Sequence, residues 1–437
     1  MPYVVTRRKA SVRKPNLQAF LNGTLSLSQL VEPTNRVNTG TVTNYYDQIS
    51  PAKLAEVDIN YQVRALEAFY EMYKHMDVTK KTCYNYEMQV AFKTQVKRTE
   101  HNKAEVERMV KDLIEEQGFQ YFDLYSTFWQ PKHKPGKIKW RRIDAPCNQL
   151  MAALRHLKEL FELMMDGCCY HTSAFAYIKG RCCKDAAERH AQNKSNWYLK
   201  LDFSDFFGSI TPEFTMRMMS EVYPFSEIVK SEEGKTALRN CLNLCFLDGR
   251  LPQGTPISPL LSNIIMIAID HKLYNYLSKK TETAPSGRDY KFIYTRYADD
   301  MVISNKTTFD YKEIIDVVNR IMTMFDAPLK LNGEKTRYGS IAGENWILGV
   351  MVNQEYKVTV GHKRKKLLKS IINNYIWSKA NGETWGLDDL YHLQGEISYC
   401  KSVEGRDINK QILEPYSKKL GRDIERAIID DIKALAA

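Results

Sequence analysis

The sequence predicts an α+β protein in which helical segments flank a small antiparallel sheet. Three observations lead there. Apolar residues recur at helical spacing in several long windows. Between those windows lie short β-rich runs bounded by turn residues. One pair of such runs, Phe292-Ile293-Tyr294 and Met301-Val302-Ile303, brackets Tyr297-Ala298-Asp299-Asp300 and predicts a hairpin with two aspartates at its tip.

Taken in order, residues 1 to about 50 are polar and read as loops and short elements. Residues 51–115 read as helical, because Pro51 follows Ser50 and Leu54, Val57, Val63, Leu66, Phe69, Tyr70 and Tyr73 follow at near-helical spacing. Met109, Leu113 and Ile114 close a further helix that ends near Gly118. Phe128 to Pro131 and Ile138 to Ile143 read as two strands joined by a basic turn. Leu150, Leu154, Leu157, Leu160, Phe161 and Met164 mark a helix over 147–165. A strand over 197–203, a mostly helical stretch over 209–223 and a long helix over 259–277 follow. After the hairpin come a helix from about 311 to 325 and short strands around 329–331, 347–352 and 356–360. From Lys363 onward the chain is helical again, broken at Trp385-Gly386.

With 437 residues the chain has room for two to three domains and a large core. The formal charge of +11 suits a polyanionic partner. Nine scattered cysteines without a CxxC pair read as reduced thiols of a cytoplasmic protein. The charged N-terminus lacks an apolar signal segment, and the longest apolar run, Ile264 to Ile269, is too short to span a bilayer. No membrane partner is expected.

An adjacent acid pair is often only a solvated turn. Here Asp202 ends an apolar strand, Leu199-Lys200-Leu201-Asp202-Phe203, nearly a hundred residues earlier. If the two strands are neighbours, three carboxylates converge. Two Mg²⁺ ions about 4 Å apart would then find ligands and serve nucleotidyl transfer.

The motifs, in their order along the chain, resemble those of bacterial reverse transcriptases of the retron, group II intron and abortive-infection type. Lys132-x-Lys134, Trp140-Arg141-Arg142-Ile143 and Phe175-x-x-x-x-Gly180-Arg181 precede the block from Asp202 to Ser209. Leu251-Pro252-Gln253-Gly254-Thr255-Pro256-Ile257-Ser258-Pro259, Arg296-Tyr297-Ala298-Asp299-Asp300, Leu331-Asn332-x-x-Lys335-Thr336 and Ile347-Leu348-Gly349-Val350 follow. The match covers roughly residues 120 to 355.

The resemblance implies a right-hand polymerase: a helical N-terminal extension over 1–118, fingers and palm over 119–355, and a helical thumb over 356–437. It implies that Asp202, Asp299, Asp300 and the carbonyl of Phe203 hold two Mg²⁺ ions, with Mn²⁺ as an alternative. Lys132, Arg141, Asp205, Phe206, Phe207, Gln253 and Lys335 would meet the dNTP, Arg141 as a fork matched to phosphate oxygens. Lys335 reads either as proton donor to pyrophosphate or as a charge partner. Gly254, Pro256, Tyr297, Ile347, Leu348 and Gly349 would border template and primer. The basic run His362 to Lys366 would track duplex phosphates.

Two departures set the chain apart from retron enzymes. Ala186-Ala187-Glu188-Arg189-His190 lacks their Asn, and Ile347-Leu348-Gly349 replaces their Val-Thr-Gly. The leading expectation is therefore a stand-alone, defence-associated enzyme that copies a dedicated structured non-coding RNA into DNA. A homo-oligomer remains open. The alternatives are a retron enzyme making RNA-linked DNA, a template-free or protein-primed polymerase using a tyrosine such as Tyr45, Tyr46, Tyr84 or Tyr86, and an idle RNA-binding scaffold.

The resemblance places Phe207 beneath the nucleotide sugar as a bar to the 2′-hydroxyl. Phe207→Ala is expected to admit ribonucleotides in a primer-extension assay. Unchanged sugar discrimination refutes that role.

Overall fold

A computed structural model describes residues 59–74, 76, 82–83, 122–134, 137–165, 170–343, 346–347 and 349–436. The expectations for residues 1–50, for Met109 to Ile114, for Tyr84 and Tyr86 and for Leu348 lie outside them.

In chain order, α1 (Ile59–Tyr73) precedes the strand pair β1 (Thr82–Cys83) and β2 (Phe122–Asp123), then β3 (Tyr125–Lys134), β4 (Lys137–Pro146), α2 (Asn148–Met164), α3 (Cys183–Gln192) and β5 (Trp197–Ser204). A short turn of helix, Phe206–Ser209, leads to α4 (Pro212–Ser220), α5 (Glu232–Asn243) and α6 (Ser258–Lys279). Strands β6 (Thr281–Thr283), β7 (Asp289–Lys291), β8 (Ile293–Tyr297) and β9 (Asp300–Asn305) precede α7 (Tyr311–Met324). Then come β10 (Lys330–Leu331), β11 (Arg337–Ser340), β12 (Trp346–Ile347), β13 (Val350–Val352), β14 (Val358–Thr359), α8 (Gly361–Ala380), α9 (Leu387–Glu404) and α10 (Ile424–Ala436).

The chain divides into two compact units. The first comprises Met1–Tyr177, Phe203–Leu273 and Ile315–Leu331. The second comprises Ile178–Asp202, Tyr274–Ile314 and Asn332–Ala437.

In the first unit the leucine row of α2 is buried at Leu150, Leu154, Leu157 and Leu160, as its spacing requires. Each such burial contributes about 1.5–3 kcal/mol. The Cys147 sulfur caps this helix by accepting from the Leu150 amide. Helices α1 and α5 pack together, and Cys241 of α5 donates to the Leu66 carbonyl of α1. Every residue of α6 from Leu260 to Asp270 is buried, the polar Asn263 and Asp270 included, and Asn263 donates to the Ala176 carbonyl.

Strands β3 and β4 form a ten-residue antiparallel ladder from Tyr125↔Pro146 to Lys134↔Lys137. At its root the Asp144 amide donates to the Gln253 carbonyl at 3.0 Å. The loop Pro252–Ile257 lies so close that a Cβ on Gly254 would stand 3.0 Å from the Asp144 carbonyl oxygen and 3.2 Å from Ile143. Gly254 also holds φ at +117°, a conformation that a side chain disfavours.

In the second unit the strand order is β11–β5–β9–β8, all antiparallel. Leu199, Leu201, Met301 and Ile303 bury one face of this sheet. Lys200, Asp202, Asp300 and Val302 occupy the other, along with Thr295 of β8. Tyr338 of β11 stacks between Trp197 and Tyr311 and accepts the Phe309 amide. A second core joins Ala187 and Ala191 of α3 to the sheet β12–β13–β14 and to helices α8, α9 and α10.

The α+β class, the acid hairpin and the C-terminal helices agree with expectation. Three differences stand out. Residues 347–352 are a hairpin, not one strand, because Gly349 turns the chain at φ +85°. The stretch 209–223 is interrupted, with Thr211 capping a helix that starts only at Pro212. Helix α3 was not expected, since its sequence offers alanines and a histidine in place of a large apolar stripe.

Gly254→Ala is expected to destabilise the protein by roughly 1–3 kcal/mol through its strained backbone and the crowding at Asp144. Urea unfolding compared with Gly287→Ala, where a Cβ meets open space, reads the crowding separately from the φ strain. Equal losses in the two variants would remove the close-approach argument.

Candidate active site

The acid hairpin is formed by β8 and β9, with Tyr297 paired to Asp300 and a two-residue turn, Ala298-Asp299, between them. Ala298 is buried at φ +56°. The side chain of Arg296, itself 1% exposed, donates from Nη1 to the Ala298 carbonyl at 3.0 Å and closes the turn. Asp299 thus sits at the tip, and Asp300 opens β9.

Strand β5 brings Asp202 directly opposite Asp300. Opposed residues share a face with Cβ atoms roughly 5 Å apart. Burial pushes the Asp300 carboxyl up to about 7, and Asp299 and then Asp202 add to the rise. Lys335 opposes it. Its Nζ donates to both Asp202 oxygens, at 2.6 and 2.8 Å. The backbone sets this up, since Asn332 donates its amide to the Asp202 carbonyl and Lys335 donates its own to Asn332. Lys200 lies on the same face, and burial lowers its ammonium to about 8 while Asp300 pulls it up.

On the same face, further along β9 from Asp300, lies a buried polar network. His190 of α3 is fully buried and bonds Ser304 Oγ through Nδ1 at 2.6 Å and Thr295 Oγ1 through Nε2 at 2.8 Å. Ser304 donates to Ser195, so its oxygen accepts from Nδ1–H, and Nε2 accepts from Thr295. Burial, then Arg189 and Lys200, lowers the imidazole to about 3. His190 therefore stays neutral and ties β8 to β9 on the face that carries the acids.

The other expected residues sit as follows. In the first unit, Phe203 is buried and pairs with Leu331 of β10. Phe206 is buried against Phe203, with ring centroids 5.7 Å apart, while Phe207 stays half-buried. Asp205 holds φ +43°, and its carboxylate lies over Gly208, where a Cβ would stand 2.2 Å away. Arg141 is exposed on β4, and Lys132 pairs in register with Lys139. Gln253 and Pro256 are half-buried around Gly254. In the second unit, Tyr297 is half-buried, Ile347 is buried in β12, and Gly349 is exposed at the turn. Tyr399 of α9 donates to the Gly349 carbonyl at 3.3 Å. Within the basic run, Arg364 bonds Glu396 through two nitrogens and lies 4.1 Å from the Tyr399 ring, and Lys365 pairs with Glu404. Those two cations serve the helix packing.

Among the described residues no three His, Cys, Asp or Glu side chains are gathered closely enough to enclose a metal. The structure thus brings Asp202 and Asp300 together, with Asp299 near enough to act on Asp300 by charge. Two oxygen-donor groups whose repulsion raises one pKa, and which already hold an ammonium, fit a hard divalent cation.

Opposed carboxylates on an antiparallel sheet, one beside a tight hairpin turn, fit a template-directed nucleotidyltransferase of the palm type. The chain belongs to the reverse transcriptase (RNA-dependent DNA polymerase) family, whose profile matches residues 130–363, more than half of it. It is an RNA-directed DNA polymerase. Its relatives include the retron Ec73 reverse transcriptase of Escherichia coli, 29% identical over 54% of this chain and 71% of the relative. The retron Ec83 reverse transcriptase of Escherichia coli is 24% identical over 70% of this chain and 89% of the relative. The retron Mx65 reverse transcriptase of Myxococcus xanthus is 28% identical over 64% and 61%. Among solved structures, apo telomerase from Candida tropicalis is loosely similar, with a TM-score of 0.38 and 12% identity over 70% of this chain and 61% of that one.

Asp300 titrates near 3.8 when unfolded and near 7 when folded, so the folded state binds its proton more tightly. That stability is present in acid and is lost as pH rises from about 4 to about 7. Over this window, urea midpoints in EDTA buffer should rise more, or fall less, in Asp300→Asn than in the wild type. An unaltered slope in the variant contradicts the assignment.

Proposed function

We propose that the chain is a retron-type enzyme that copies a dedicated structured RNA into DNA, and that Asp202, Asp299 and Asp300 carry the transfer. The observation that carries the chemistry is the Asp202–Asp300 opposition with Lys335 on Asp202. The choice of a dedicated RNA follows the retron relatives. The departures at Ala186 and at Ile347 to Gly349 then mark divergence within that group. Service in anti-phage defence, in the cytoplasm, belongs to the same reading.

Bound Mg²⁺ would neutralise the carboxylates and the triphosphate and make the primer hydroxyl more acidic. The chain's own groups do the rest. Asp202 and Asp300 hold their charge toward the reacting phosphate, and Asp299 completes the donor set from the turn. With Asp202 holding a cation, Lys335 Nζ would be available to donate a proton to the departing pyrophosphate. Arg141 and Lys132 bind the triphosphate, Phe207 excludes the 2′-hydroxyl, and the hairpin β12–β13 seats the primer.

Purified protein with Mg²⁺, labelled dNTPs and its co-purifying nucleic acid is expected to yield DNA complementary to a bound RNA. Asp299→Asn should lower incorporation roughly a hundredfold or more. DNA joined to a tyrosine and matching no template would instead establish the protein-primed alternative. Wild type indistinguishable from Asp299→Asn would leave only the idle scaffold.

A further inference from the structure

Two arginines are adjacent on β4, and alternation along the strand sends them to opposite faces. Arg141 is exposed. Arg142 is engaged by carboxylates. Its Nε donates to Asp144 Oδ1 at 2.7 Å, and its Nη2 reaches Asp248 Oδ2 at 3.4 Å. Thr127, opposite Asp144 on β3, donates its hydroxyl to the same Oδ1 at 2.8 Å. Asp144 is only 4% exposed, so these bonds satisfy a carboxylate withdrawn from water.

Asp144 joins the hairpin with its side chain and the following loop with its backbone. Its amide holds the Gln253 carbonyl, and its own carbonyl lies against Gly254. Asp248 stands in the tight turn Leu247–Arg250, closed by backbone bonds of 2.9 and 3.1 Å. Leu251 then donates to the Ile210 carbonyl, and Ser258 Oγ donates to the Pro252 carbonyl. Arg142 thus meets the segment 247–254 at its turn, and Asp144 meets it at Gln253 and Gly254. The Arg142–Asp248 contact is long and partly exposed, and such a pair contributes little by itself. The Arg142–Asp144 bond is short and its acid is buried, so losing either partner leaves the other unsatisfied.

We propose that Arg142 and Asp144 are positioning residues for the incoming nucleotide. They set the Gln253–Gly254 loop against the strand that carries Arg141. This rests on the reading of Arg141 and Gln253 as nucleotide-binding residues. Arg141 meets the triphosphate, and Arg142 beside it meets only protein. The strand pair β3–β4 has no third strand, and a lone hairpin is marginally stable in water. The clamp at its root therefore decides where Arg141 stands relative to Gln253. A misplacement of about 1 Å between binding groups costs on the order of a hundredfold.

Single-nucleotide incorporation on an RNA template, measured over a range of dNTP concentration, tests it. Arg142→Ala and Asp144→Asn are each expected to raise the KM for dNTP about tenfold, while kcat falls less than about threefold. The double variant should do no worse than the more severe single one, because both act through one contact. Asp248→Asn should raise the KM less. If Asp144→Asn does not fold, Thr127→Val removes one bond to the same carboxylate and should raise the KM in its place. A merely structural role leaves fewer active molecules, which lowers kcat and leaves KM where it was. A fall in kcat at unchanged KM therefore overturns the proposal, and so do additive effects in the double variant. Arg141→Ala is measured alongside. A raised KM there, with Arg142→Ala at the wild-type value, overturns the positioning role alone. An unchanged KM in Arg141→Ala overturns the nucleotide-binding reading and the proposal with it.

Discussion

The second unit is organised around an electrostatic constraint. Asp202 and Asp300 face each other across β5 and β9, and Asp299 adds a third negative charge at the turn. Three carboxylates so placed repel, and burial worsens the repulsion by withdrawing water. The structure answers in two ways. Asp300 retains its proton up to about pH 7, and Lys335 lays its ammonium across both Asp202 oxygens. The surrounding elements hold that arrangement rigidly. Arg296 fixes the turn and His190 joins β8 to β9.

The supporting network is as informative as the acids. A neutral imidazole between two hydroxyls has one arrangement of protons that satisfies all of them, so it holds β8 and β9 in a single register. Helix α3 carries His190 toward the sheet and Ala187 and Ala191 toward the core shared with β13 and α8. Through α3 the acid hairpin and the β12–β13 hairpin share one support. Tyr399 extends that support from α9 to Gly349.

Much of this was legible in the sequence because it depends on local pattern. The leucine row of α2, the acid pair between apolar runs and the strand ending at Asp202 each have a period or a boundary that fixes the element. The sequence marks Gly254 as a residue bordering template and primer, and the structure adds that its backbone closely approaches the Asp144 carbonyl. Helix α3 was not, because its buried residues are small or polar and its purpose lies in contacts distant in sequence. One local trace existed, since Asp185 accepts the Cys182 amide in the manner of a capping box. The 347–352 hairpin is hidden in the sequence because the apolar residues around Gly349 suit one continuous strand, and only the φ of +85° at Gly349 marks the turn. Within the basic run at 362–366, Arg364 and Lys365 find partners on α9, contacts distant in sequence that charge alone does not reveal.

The Lys335–Asp202 bond has a bearing on how the chain folds. The two residues are 133 apart in sequence. β5 must also wait nearly a hundred residues for β9. Closing loops of that size carries an entropic cost that only the finished sheet recovers. On the ribosome, Asp202 therefore emerges long before either the aspartate that repels it or the lysine that quiets it. The opposed carboxylates come together only when the strands pair, and Lys335 follows on the next segment after β10. The order of synthesis thus delivers the destabilising pair and its counter-charge almost together, late, onto a β5 strand already made.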